Sequence, residues 1–111
     1  MISPGLARRL KKAGFPQKDL LGSPYYAAPN WDLHFVGEWI APDDAWHPTK
    51  HDASIPSLSD LIAAMENFEG LVKAGRGWRV HYWSLGGLHT TRPYTTAEHA
   101  LAYAWLKLNG R

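Results

Sequence analysis

The stretch GWRVHYWSLGGLHTTRPYTTAEHALAYAWLKLNG, residues 77–110, decides the fold. It reads as strand, glycine turn, short strand and capped helix. Trp78, Val80 and Tyr82 alternate with Arg79, His81 and Trp83, the period of a strand with one buried face. Gly86-Gly87 supplies the positive φ of a tight hairpin turn. Leu88 to Arg92 then returns antiparallel, and Pro93 stops it. Thr95 with Glu98 forms a capping-box pattern. Ala97, Ala100, Leu101, Ala104, Trp105 and Leu108 follow at core-facing helical spacings, with Gly110 as the C-terminal cap.

Working outward, Trp31 to Ile40 alternates with period two. Trp31, Leu33, Phe35, Gly37 and Trp39 share one face and Asp32, His34, Val36, Glu38 and Ile40 the other, a strand with one buried face. Ser57 and Asp60 cap a helix over 58–69, with Leu58, Leu61, Ile62, Met65 and Phe68 facing the core. Ser3-Pro4 starts an N-terminal helix that buries Leu6 and Leu10 and ends at Gly14. Residues 16–30 are a connection with an extended piece at Tyr25-Tyr26, and 41–56 is the longest irregular stretch. The predicted class is α+β in the order α-β-α-β-β-α. A small antiparallel sheet has two to four strands (31–40, 78–84, 88–92, with 24–27 as a further candidate). Helices 58–69 and 96–109 pack on one face and the N-terminal helix lies at an edge.

At 111 residues the chain is expected to be a single domain, 1–111, able to bury a core without disulfides. The absence of cysteine excludes a thiolate nucleophile and a Cys-ligated zinc site. No apolar run is long enough to cross a bilayer, and the N-terminus lacks the apolar segment of a signal peptide, so a cytoplasmic location without membrane partners is the expectation. The net charge of +2 is unevenly spread. Residues 1–20 carry five Lys/Arg against Asp19, residues 21–70 carry Lys50 against eight acids, and residues 71–111 carry six Lys/Arg against Glu98. Two basic ends sharing a face would attract an anion or nucleic acid.

Several residues are candidates for chemistry. Arg8, Arg9, Lys11 and Lys12, joined by Arg76, Arg79 and Arg92, form a candidate basic patch, with Trp78 or Tyr94 available to stack on a base. The competing reading is a mixed, solvated surface. In the 41–56 loop, Trp46 with Asp43 and Asp44 is a candidate protein interface, against the plainer reading of Trp46 as a lid on the core. His47 and His51 have the spacing of two metal ligands on one helical face, but Pro48 lies between them and no third ligand follows. His81 and His89 flank the glycine turn and, with His34 and Glu38, are candidates for acid–base work if they meet. The plainer reading is of ordinary strand residues. No catalytic residue and no cofactor is predicted. Ser84 lacks the Gly-x-Ser-x-Gly setting of a nucleophile elbow, and no phosphate-loop or dinucleotide fingerprint is present.

Three phrases carry a resemblance: LARRLKKAGFPQ (6–17), IPSLSDLIAAM (55–65) and TTAEHALAYAWLKLNG (95–110). In this order the chain resembles a widespread family of small uncharacterised phage and prophage proteins. His99 departs from that pattern, which has alanine there. The resemblance implies a phage-derived accessory protein. Expected first is a non-enzymatic protein that binds a host or phage protein, such as a defence component, in the host cytoplasm. The alternatives are a nucleic-acid-binding protein and a small metal- or His-dependent enzyme, with the oligomeric state open.

Overall fold

A computed structural model of the chain describes residues 1–18, 20–36 and 52–109. The class is α+β. The elements run α1 (Pro4–Lys12), β1 (Pro24–Ala27), β2 (Asp32–Phe35), β3 (Ala53–Ser54), α2 (Leu58–Ala64), β4 (Phe68–Ala74), β5 (Gly77–Ser84), β6 (Gly87–Thr90) and α3 (Ala97–Asn109). The strands expected in one sheet divide between two antiparallel three-stranded sheets, β2-β1-β3 and β4-β5-β6. The chain forms two compact units, Ile2–Pro56 and Ser57–Arg111 with Met1, each holding one of these sheets.

In the first unit, α1 forms as its caps dictate. Ser3 Oγ accepts from Leu6 N–H at 3.3 Å, and Pro4 begins the helix. At the other end Phe15 N–H donates to Leu10 C=O (2.9 Å) and Gly14 N–H to Lys11 C=O (3.0 Å), with Gly14 at φ 94°. This is a Schellman closure, and buried Phe15 and Leu10 supply its apolar contact. Gln17 then ties the chain to β3, donating to Phe15 C=O (3.0 Å) and accepting from Ser54 N–H (2.8 Å). The Gly-Phe-Pro-Gln phrase thus acts as a structural clasp. Strand β3, inside the stretch expected to be irregular, pairs with β1 on one side and lies against α1. Its two residues form a strand through these non-local partners, which periodicity does not report.

Strand β2 corrects the sequence reading. The strand begins at Asp32, because residues 28–31 turn the chain between the paired Ala27 and Asp32. Trp31 sits in that turn at φ 60°, its N–H donating to Ala27 C=O (2.7 Å). Leu33 and Phe35, which share one face, are 41% and 42% exposed. Val36 is buried instead, held by hydrogen bonds to Gly22 and Ser23. Residues 37–40 lie outside the described residues.

In the second unit, Ser57 and Asp60 form the full reciprocal capping box of α2. The helix stops at Ala64, not at residue 69 as expected, and Phe68 opens β4. Glu66-Asn67 turns the chain, and β4 pairs with β5 across a two-residue turn, Gly75-Arg76. Gly75 has φ 62°, at the position a primed hairpin turn reserves for glycine. The next hairpin turns at Leu85-Gly86, and of the two expected glycines it is Gly87 that takes positive φ, 107°. Strand β6 covers 87–90, not 88–92, and the antiparallel path resumes in a bridge between Trp78 and Tyr94. The cap of α3 is Thr96, one residue beyond the expected Thr95. Thr96 Oγ1 accepts from His99 N–H (3.1 Å), lies 2.6 Å from His99 Nδ1, and Thr96 C=O accepts the first helical bond from Ala100. His99, not Glu98, therefore occupies the position facing the cap. Helix α3 packs on β5, and α2 packs on α3. Gly110 lies outside the described residues.

Gly77 marks the tightest point of this unit. A Cβ there would stand 2.9 Å from both Pro93 Cβ and Tyr94 O. Gly77→Ala is expected to force the Trp78–Tyr94 bridge apart and cost about 1–3 kcal/mol, read as a lowered denaturation midpoint.

Candidate functional site

The basic N-terminal helix positions the candidate site. Leu6, Ala7 and Leu10 are buried, which turns Gly5, Arg8, Arg9 and Lys12 outward as an i, i+3, i+4, i+7 stripe. This stripe and Lys11 line a cleft of about 560 Å³. Trp31, from the turn between β1 and β2, and Asp52 and Ala53 at the start of β3 line it too. All these residues belong to the first compact unit.

The Arg8 guanidinium lies 4.3 Å from the centre of the Trp31 ring. The ring's negative face holds the cation there, worth about 0.5–1 kcal/mol at an exposed position. Lys11 is half-buried, and its ammonium donates to the backbone C=O of Asp52. Burial pushes the Lys11 pKa below its ordinary value, against the opposing pull of the Asp52 charge. The Asp52 carboxylate itself accepts from Ala28 N–H (3.2 Å), bracing the turn that carries Trp31. Arg9, Lys11 and Lys12 also suit the negative end of the α1 dipole, so the same charges help the helix form.

The other predicted basic residues belong to the second compact unit. Arg76 is in the β4–β5 turn, Arg79 is on β5 opposite Val72, and Arg92 stands 5.1 Å over the Tyr94 ring. These belong to the second unit and are not among the described residues lining the cleft. Trp78 carries Lys73 at 5.9 Å, and Tyr94 stacks on Tyr103 with centroids 4.7 Å apart. The stacking residue that the structure places with the helix cations is Trp31. The break in alternation at Pro29-Asn30-Trp31 was the available signal, since a turn there sets Trp31 apart from its strand.

The histidines do not form the proposed group. His81 pairs with Thr90 and His89 with Tyr82, which puts the two imidazoles on opposite faces of one sheet. His34 belongs to the other sheet and stacks on Tyr25 at 5.8 Å. Among the described residues no group of three or more His, Cys, Asp or Glu is placed to hold a metal ion. No described helix is long and apolar enough to cross a membrane. Trp46, Asp43, Asp44, His47, His51 and Glu38 lie outside the described residues.

No protein-family model matches the chain. No solved structure matches it significantly. Among curated proteins it is similar to a malyl-CoA/β-methylmalyl-CoA/citramalyl-CoA lyase of Chloroflexus aurantiacus, 34% identical over 82 residues and covering 67% of this chain. The chain spans 23% of the length of that lyase.

Proposed function

We propose that the protein is a non-enzymatic binding protein whose basic cleft takes single-stranded nucleic acid. The observation that carries this reading is the meeting of Arg8, Arg9, Lys11 and Lys12 with Trp31 around one cleft. Clustered cations attract phosphates and release their counterions, and an aromatic ring beside them offers any unpaired base a stacking surface. The cleft volume, about 560 Å³, falls in the range of sites for compact ligands. The lyase's name contains coenzyme A, which carries an adenine nucleotide and phosphates, so that likeness fits the same ligand chemistry without extending to lyase activity. The test is fluorescence polarisation of a labelled single-stranded oligonucleotide with the full chain at low salt. Saturable binding is expected, and no binding at low salt removes the reading.

A second reading follows the family resemblance: a phage-derived accessory protein that binds a host protein, such as a defence component. It is favoured by one face of the β4–β6 sheet, where Val72, Trp83 and Leu88 are 44%, 48% and 51% exposed. A host protein captured stoichiometrically, and lost on Trp83→Lys, supports it. Capture unaffected by that change removes this face from consideration. A cytoplasmic location accords with both readings.

A further inference from the structure

We infer that the cleft seats one nucleotide as a unit, with its base on the Arg8–Trp31 pair and its phosphate on Arg9 and Lys12. This rests on the nucleic-acid reading and narrows it to an unpaired nucleotide. Arg8 is engaged on the Trp31 ring at 4.3 Å, and Lys11 is engaged with the Asp52 carbonyl. Arg9 and Lys12 are both exposed, line the cleft on the same helix stripe as Arg8, and stand three residues apart and so are neighbours on one face. The cleft thus has a flat end, made by a guanidinium and an indole, and a charged side made by Arg9 and Lys12. Bases stack on guanidinium planes as well as on aromatic rings, while phosphates take point charges and guanidinium forks. A ligand that carries a planar ring and a phosphate uses both features, whereas inorganic phosphate or a nucleoside uses one. A base inside a duplex cannot reach the flat end without leaving its stack.

Calorimetric titration of the full chain with adenosine 5′-monophosphate, adenosine, inorganic phosphate, a single-stranded oligonucleotide and its duplex tests this. The mononucleotide is expected to bind at least tenfold more tightly than phosphate or adenosine, and the single strand more tightly than the duplex. Trp31→Leu is expected to erase the preference for nucleotide over phosphate, and Trp31→Phe to keep it. Arg8→Gln provides a second variant with the same expected loss should Trp31→Leu not fold. Phosphate binding as tightly as the nucleotide, or a preference unchanged in folded Trp31→Leu or Arg8→Gln, overturns the inference. Oligonucleotide binding without mononucleotide binding overturns it while leaving the nucleic-acid reading in place. Binding of none of these ligands removes both.

Discussion

Arg9→Glu combined with Lys12→Glu is expected to lower affinity for a single-stranded oligonucleotide by on the order of a hundredfold at low salt. The double change removes two cations from one wall of the cleft and sets two carboxylates in their place. Attraction for phosphate becomes repulsion, and the counterion release that drives binding falls with it. Arg9 and Lys12 are exposed and the buried face of α1 is untouched, so the fold survives. Carboxylates near the helix C-terminus oppose its dipole, costing roughly 0.3–1 kcal/mol each. A melting curve separates this modest loss from the loss of binding. Arg76→Glu with Arg79→Glu makes the same change of charge in the other compact unit, at residues that are not among the described lining of the cleft. That pair is expected to weaken binding far less. An equal loss would show that the binding surface is general positive charge and not the cleft.

Leu101→Ala is expected to destabilise the fold by about 2–5 kcal/mol, a drop in melting temperature of order 10 °C or more for a domain of this size. Leu101 is fully buried on α3, the helix that packs on β5 and receives α2. Truncation removes its apolar transfer energy and leaves a cavity that rigid neighbours close only in part. Leu108 lay on the same expected stripe but is only half-buried, and Ile62 on α2 is exposed. Alanine at either position is expected to cost markedly less. Equal losses at Leu101 and Leu108 would contradict the assigned packing of α3.

Local chemistry made much of this fold legible. Ser3, Ser57 with Asp60, and Gly14 mark helix ends through hydrogen bonds to near neighbours, and each forms as expected. Strand β4 was hidden because Phe68 extends the helical spacing of Leu61 and Met65, so its seven residues begin as a helix would continue. The Gly75-Arg76 turn was visible but fits a helix end as well as a hairpin. Strand β2 shows the limit of alternation, which separates two faces without saying which one is buried. Leu33 and Phe35 share a face as predicted, and that face is exposed. In the site, the four helix cations were evident from sequence. The pairing of Arg8 with Trp31 depends on the β1–β2 turn and on Asp52, a contact between segments far apart in the chain.

The salt dependence of oligonucleotide affinity tests the central claim most directly. Engagement of one to two phosphates by Arg9 and Lys12 predicts that log K falls linearly with log salt, with a slope of about −0.7 to −1.4 for a single strand. Arg9→Glu with Lys12→Glu should flatten that line. A slope near zero for the unaltered protein, or the same slope in both proteins, would contradict a nucleic-acid site built on α1 and Trp31.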